Sequence, residues 1–192
     1  MFTLIGNEFM IARAQEILVE SFLLEPCLGI PNHERFPLLI YRSAFVSEQR
    51  LSADILVEQF AANHWTNAWE NGVFDYHHFH ANTHEVLGVL GGEAVVLFGG
   101  QSGVESTVAR GDVLIIPAGV GHKAVSGSNR FSVVGAYPEG AIPDLCRDTG
   151  SIEVSVKSRI DALPIPTHDP VFGSNSLIHK FWAEDGSSFR RS

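Results

Sequence analysis

The sequence is poor in cysteine and in positive charge. Only two of its 192 residues are cysteines, Cys27 and Cys146, and they form no spaced motif. Neither a disulfide framework nor a cysteine-bound zinc is therefore expected, and we predict a pair of free, buried thiols. Thirteen basic residues stand against twenty-two acidic ones, a net charge of −9. This balance disfavours nucleic acid and anionic membranes as partners, because both attract a positive surface.

Long apolar runs are also missing. No stretch approaches the roughly eighteen consecutive apolar residues that a membrane-spanning helix needs. The first twenty residues lack the basic start, apolar run and small-residue cleavage site of an export signal. We therefore expect a cytoplasmic protein. Present instead are a hydrophobic fraction of 45%, eighteen glycines and nine prolines, which suit a packed core of many short strands and turns.

Histidine is concentrated in one stretch of the chain. Four of the nine histidines lie between residues 72 and 92: His77, His78, His80 and His84. Alternate residues of a strand share a face, so His78 and His80 point the same way. His77 faces away and is interpreted as a packed or interface histidine. His84 lies at the following turn and would be a ligand only if that turn swung it inward.

A carboxylate and a fifth histidine complete the pattern. Glu85 begins the next apolar strand, and His122 lies further along the chain. If the Glu85 strand pairs with the strand of His78 and His80, two imidazoles and one carboxylate converge, and His122 from a neighbouring strand adds a third imidazole. Such ligands suit a divalent first-row metal: Mn, Fe, Co, Ni, Cu or Zn. The sequence therefore predicts one divalent transition metal bound by these four residues.

The spacing of these residues resembles two conserved motifs of the cupin superfamily. The matching positions are Gly72, His78, His80, Glu85 and Gly92 in the first motif, and Gly111, Pro117, Gly119 and His122 in the second. The second motif of the family usually ends in Asn four residues after its His, and here that place holds Ser126. Since Ser126 has the parity of His122, we expect it to face the same cavity. Tyr137, on a later strand, is a possible pocket donor.

Further sequence blocks narrow the resemblance to the YjlB-like single-domain cupins, over roughly residues 20–182. The resemblance implies an all-β fold: a double-stranded β-helix, or jelly-roll barrel, with the metal inside it. It also implies a homodimer. The open mouth of such a barrel would accept a small-molecule ligand.

Additions to the barrel are predicted at both ends. Residues 1–36 read as an N-terminal arm with an amphipathic helix over 8–24, and residues 37–140 as the barrel, with a helix over about 52–63 capped by Ser52. Residues 141–192 read as a C-terminal extension that wraps the barrel and ends in a disordered segment. Gly88 interrupts an apolar strand, so we expect the N-terminal segment or a partner subunit to lie over it.

Three functions remain open from the sequence. The first is a metal-dependent enzyme, either an oxygenase acting on a small organic acid or an isomerase. The second is a non-catalytic binder or sensor of a small metabolite. The third is a structural or storage role.

Overall fold

The structure, a computed structural model, describes residues 3–5, 9–11, 14, 16–46, 51–174 and 176–183. These residues form fourteen strands and three helices. In chain order they are β1 (Thr3–Ile5), β2 (Phe9–Ile11), β3 (Leu18–Phe22), β4 (Leu38–Arg42), β5 (Phe45–Val46), α1 (Ala53–Ala62), β6 (Trp65–Asn71), β7 (His78–Phe79), β8 (Glu85–Gly91), β9 (Glu93–Phe98), β10 (Val104–Ala109), β11 (Val113–Ile116), β12 (His122–Gly127), β13 (Ser132–Pro138), β14 (Cys146–Arg147), α2 (Val154–Asp161) and α3 (Leu177–Trp182). None of these three helices is long and apolar enough to cross a membrane.

Two antiparallel sheets make the body of the protein. One has five strands in the order β10-β9-β12-β7-β14, and the other has six in the order β3-β4-β11-β8-β13-β6. Inward-facing side chains of both sheets, such as Leu87 of β8 and Val96 of β9, share one buried cluster. The predicted all-β jelly roll is confirmed by this arrangement. A small sheet in the order β1-β2-β5 adds to it.

Helix α1 forms where the sequence predicts it. Ser52 occupies the N-cap position, although its side chain makes no capping hydrogen bond. Leu56 and Phe60 are fully buried, and both pack over Gly88, where an added Cβ would lie 3.0 Å from each side chain. The element lying over Gly88 is therefore α1. In the described residues neither the N-terminal arm nor a partner is needed to explain the glycine.

The helix predicted over residues 8–24 is wrong where the structure describes that range. Phe9–Ile11 and Leu18–Phe22 are strands. Strand β3 pairs with the edge of β4, and Glu20 receives two hydrogen bonds of 2.8 Å from the Arg42 guanidinium of that strand. An open sheet edge and a bidentate ion pair outweigh the helical spacing of apolar residues.

The pairing considered for the two motif strands is also wrong. Strand β7, which carries His78, pairs with β12 and β14, whereas β8, which begins at Glu85, pairs with β11 and β13. The two strands thus belong to opposite sheets. Glu85 reaches the histidines across the interior of the barrel.

The C-terminal residues pack on the barrel. The buried Asp169 carboxylate accepts a hydrogen bond of 2.7 Å from the Tyr41 hydroxyl, and it also accepts one from the Ile178 amide of α3. Trp182 is buried and its indole N–H donates to the Pro37 carbonyl. These contacts tie the tail to β4 and its approach. The predicted disordered end, residues 186–192, lies outside the described residues.

The two cysteines are free, as predicted, but both are only half-buried. The Ser102 hydroxyl contacts the Cys27 sulfur at 3.1 Å, and Cys146 lies at the edge strand β14 beside Asp144. Neither residue reaches the core, because Cys27 lies in an isolated bridge with Ile30 beside the turn of Gly100 and Ser102, and Cys146 lies in the edge strand β14.

Candidate metal centre

Three imidazoles converge from one end of the five-stranded sheet. His122 of β12 stands directly opposite His78 of β7 in the antiparallel register, and their ring centroids are 4.1 Å apart. His80 follows β7 and turns to the same side as His78. Its ring lies 5.8 Å from that of His78 and 6.2 Å from that of His122. The predicted shared face of His78 and His80 agrees with this placement.

The carboxylate comes from the facing sheet. Glu85 Oε2 lies 3.3 Å from His122 Nε2 and 3.6 Å from His80 Nε2. All four side chains are buried, with exposures between 1% and 8%. The two sheets therefore enclose three imidazoles and one carboxylate in a small interior volume.

Backbone carbonyls orient the three rings. The Nδ1 atoms of His78, His80 and His122 face the carbonyl oxygens of Tyr76, Asp144 and Val120. Because a carbonyl can only accept, each Nδ1 carries a proton, and in the neutral ring Nε2 is then the nitrogen with the lone pair. A ligating histidine is typically held in this way, with its second nitrogen donating to a backbone carbonyl.

A tyrosine fixes the carboxylate. The Tyr137 hydroxyl donates to Glu85 Oε1 at 3.0 Å and accepts from the Trp69 indole N–H at 2.8 Å. The other oxygen, Oε2, is buried and has no hydrogen-bond partner among the described residues. A buried charged oxygen without a partner costs stability, so this atom indicates where a further group belongs.

The electrostatics keep the carboxylate ionised and the His78 ring neutral. Burial would raise the pKa of the Glu85 carboxyl, but the neighbouring imidazoles of His122 and His80 hold it well below its usual range. Burial lowers the pKa of His78 to about 3. Burial also opposes protonation of His80, yet the adjacent Glu85 carboxylate outweighs it and raises that pKa. At neutral pH Glu85 is thus ionised and His78 neutral.

These residues fit a divalent transition metal in type and partly in spacing. Two ligands that bind one ion at about 2.1 Å stand about 3.0–3.4 Å apart for octahedral to tetrahedral angles. The two separations from Glu85 Oε2 come close to that range. As the side chains stand, no group of three or more His, Cys, Asp or Glu residues within the described ranges meets the full geometry of a metal site. The fit to a metal therefore rests on the chemical types of the four side chains and on the unpartnered Glu85 Oε2.

A cavity of about 330 Å³ opens beside the four residues. Apolar side chains make up much of its wall, and a few polar ones reach it. The lining, apart from Gly72 and the four residues above, consists of Trp69, Val73, Phe74, Leu87, Pro143 and Leu145 with Glu70, Asn71, Tyr137 and Asp144. Such a lining is typical of a small-molecule site.

Tyr137 lies in this cavity as predicted, whereas Ser126 does not. A β-bulge between Ala124 and Ser126 shifts the register of β12 against β9. Ser126 is exposed and is not among the residues that line the cavity. One extra residue in a strand reverses the faces beyond it, which is why parity counted from His122 fails here.

The two remaining histidines of the cluster lie apart from the cavity. His84 is buried with its Nδ1 accepting from the Ala118 amide and its Nε2 facing the Pro164 carbonyl. Burial lowers its pKa to about 3. His77 is half-buried and is not among the cavity residues. The turn does not swing His84 inward, so neither histidine joins the set.

Two contributors were missed by the sequence-based reasoning. Trp69, whose simplest interpretation from the sequence is a hydrophobic anchor with a pocket mouth as the alternative, lies against Gly135, where an added Cβ would meet its ring at 2.3 Å. Asp144 supplies the carbonyl that orients His80, and the Asn82 amide oxygen accepts from the Asp144 N–H. A glycine within an apolar strand, Gly135, could have indicated the close approach of Trp69. Nothing local marks Asp144.

The comparisons with known proteins identify the family. The sequence profile of the Cupin family matches residues 65–138, which include the four converging side chains. The chain is also 40% identical, over 156 residues, to the uncharacterized protein YjlB of Bacillus subtilis (strain 168), a match covering 81% of this chain and 91% of that protein. The chain therefore belongs to the YjlB-like family of cupins.

Solved structures resemble the chain in fold alone. Procruciferin, an 11S globulin from Brassica napus, is 20% identical over 67% of this chain, with a TM-score of 0.33, and the match spans 26% of that protein. Acireductone dioxygenase from Bacillus anthracis, with a cadmium ion in its active centre, is 16% identical over 48% of this chain and 63% of its own, with a TM-score of 0.35.

Proposed function

We propose that the chain binds one divalent transition-metal ion through His78, His80, Glu85 and His122, and that it binds and converts a small organic molecule beside that ion. The observation that carries the proposal is the buried Glu85 Oε2. It has no hydrogen-bond partner in the described residues and lies 3.3 and 3.6 Å from two imidazole Nε2 atoms.

The chain's own residues prepare the site for a cation. Backbone carbonyls hold the protons of the three histidines on Nδ1, so that Nε2 of each is the donor atom. Tyr137 occupies Oε1 of Glu85, which leaves a single oxygen for the ion. When bound, the metal would supply a Lewis acid or, if it is iron, an oxygen-activating centre.

The cavity supports a role for a bound small molecule. Leu87 at 2% exposure and the Trp69 ring limit the access of water on the barrel side. An isomerase would also need a proton-transferring base beside the ligand. Of the three lining carboxylates, Glu85 is assigned to the metal and Asp144 is engaged by Arg159 and by the Ala81 amide, which leaves Glu70. Glu70 is exposed, so none of the lining carboxylates is both buried beside the ligand and free for proton transfer, and we favour an oxygenase over an isomerase.

Metal binding is tested by titration after stripping with a chelator. Zn²⁺ and Mn²⁺ are added to the full chain in a calorimeter, and we expect one ion per chain. Glu85→Gln should weaken binding at least about tenfold because it removes an anionic ligand. Glu70→Gln makes the same chemical change in the same cavity outside the ligand set, so it should bind like the wild type. A wild-type chain with no metal affinity would overturn the proposal.

Turnover is tested separately from binding. Iron-loaded protein is presented with a panel of small organic molecules in an oxygen electrode, and consumption that depends on one of them supports an oxygenase. Conversion under argon would instead indicate isomerase or hydrolase chemistry. A compound that raises the melting temperature without being converted would identify a binder or sensor.

A further inference from the structure

We infer that the cavity selects an uncharged molecule with an apolar, ring-sized body over an organic anion. This inference deepens the proposed function and rests on the same cavity. It concerns the walls of the cavity without the bound ion. The evidence is the charge, the size and the apolar character of the lining.

The lining offers an anion no permanently charged cation. Its ionisable members besides the histidines and Tyr137 are three carboxylic acids, Glu70, Glu85 and Asp144, and neither lysine nor arginine is among the residues of the described ranges that line it. The chain as a whole carries a net charge of −9. An entering carboxylate would lose hydration and gain like-charge repulsion, and only a bound metal could compensate it.

Basic residues near the cavity in sequence are engaged elsewhere. Arg159 donates to Asp144 Oδ2 at 3.1 Å, and the Arg147 guanidinium lies 4.0 Å from the centre of the Tyr76 ring. Lys123 follows His122 in the chain. Together with burial, its charge lowers the pKa of His77, which is not a cavity residue. These cations therefore do not supply the missing countercharge.

Apolar contacts supply the binding free energy instead. Trp69, Val73, Phe74, Leu87 and Leu145 line the cavity, and each square ångström of apolar surface buried there contributes about 25 cal/mol. The volume of about 330 Å³ corresponds to roughly ten water-sized units, taking about 30 Å³ for each. A single substituted ring fills that space, with a hydroxyl or carbonyl oxygen turned toward the histidines.

The selectivity is tested on metal-stripped full-length protein with matched probes. 4-Methylphenol and 4-methylbenzoate share the same 4-methylphenyl body, but at pH 7.5 only the second is an anion. We expect 4-methylphenol to bind at least about tenfold more tightly, a difference of about 1.4 kcal/mol, as measured by NMR titration. Equal affinities, a preference for the benzoate, or no saturable binding of the phenol would each overturn the inference.

A charge-placement variant tests the cause. Leu145 lines the cavity and is 51% exposed, so Leu145→Lys should shift the preference about two- to fivefold toward 4-methylbenzoate. Val125 is 49% exposed but is not a lining residue, and Val125→Lys should leave the preference unchanged. A shift of the same size in both variants would mean that net charge, rather than the cavity, sets the selectivity.

The two proposals fail in different ways. Selective binding of the phenol by a chain with no metal affinity would overturn the metal centre and leave the cavity inference standing. Tight metal binding together with a preference of the stripped protein for the benzoate would support the metal centre and overturn the cavity inference.

Discussion

Replacing Tyr137 by Phe removes one oxygen from the interior of the site. That oxygen donates to Glu85 Oε1 at 3.0 Å and accepts from Trp69 Nε1 at 2.8 Å. Tyr137 is 4% exposed and Glu85 2%, so water cannot readily replace the lost partner. Glu85 would then have neither of its oxygens satisfied in the metal-free protein.

The magnitude follows from the two bonds. A hydrogen bond to a charged group contributes about 1.5–3 kcal/mol, and the bond from the half-buried indole adds up to about 1 kcal/mol. We expect the free energy of unfolding of the metal-free protein to fall by about 2–4 kcal/mol. Metal affinity should fall about 10–100-fold, as is typical when the residue that orients a ligand is removed.

Urea unfolding followed by fluorescence measures the first effect, and calorimetric titration with Zn²⁺ measures the second. Tyr41→Phe is the matched control, since its hydroxyl donates to another buried carboxylate, Asp169, at 2.7 Å. It should lose comparable stability and keep full metal affinity. Tyr137→Phe binding Zn²⁺ as tightly as the wild type would refute a positioning role for Tyr137.

Two further predictions concern the glycine under Trp69 and a buried histidine. Gly135→Ala places a Cβ 2.3 Å from the Trp69 ring, so the ring must move, with a stability loss of about 1–3 kcal/mol and a changed tryptophan emission. His33 has a pKa lowered to about 4 by burial. Between pH 6.5 and 4 the unfolded chain therefore binds a proton that the native chain does not. The free energy of unfolding should decrease by up to about 3 kcal/mol as the pH is lowered through this range. His33→Asn keeps an acceptor for the amides of Arg35 and Phe36 and should lose that part of the pH dependence.

The controls for these two predictions differ. Gly72 has no atom within 4 Å of an added Cβ, so Gly72→Ala should leave both stability and emission nearly unchanged. Emission of Gly135→Ala identical to the wild type would contradict the close approach of the ring. An unaltered slope of stability against pH in His33→Asn, followed by urea unfolding at several pH values, would contradict a role for His33.

Much of the site was predictable because it rests on local geometry. The two-residue period of a strand places His78 and His80 on one face whatever the strand pairs with. Helix α1 was predictable for the same kind of reason, since its apolar positions, Leu56 and Phe60 among them, recur at helical spacing after a plausible N-cap. Glu85 and His122 were added to the set on an expected convergence of neighbouring strands, and the family resemblance named the same four residues.

Predictions that depended on long-range pairing were the ones that failed. The apolar positions of residues 18–22 are compatible with either a strand or a helix. Pairing with the open edge of β4 and the bond from the Arg42 guanidinium favour the strand. Parity counted along β12 from His122 predicted that Ser126 faces the cavity. The bulge between Ala124 and Ser126 turns Ser126 to the opposite face. This bulge is defined by the pairing of β12 with β9, and the residues of β12 alone do not indicate it.

The sequence by itself determined the types of the candidate ligands and the shared face of His78 and His80, because a backbone period of two residues acts within a few residues of chain, while the family resemblance implied the all-β class. Only the tertiary structure decided that Glu85 meets the histidines from the opposite sheet, and that Tyr137 and Trp69 hold it there. The charge and apolar character of the cavity were likewise decided by segments as distant as residues 69 and 145. Contacts across the barrel depend on how two sheets stack, and stacking is a property of the whole core.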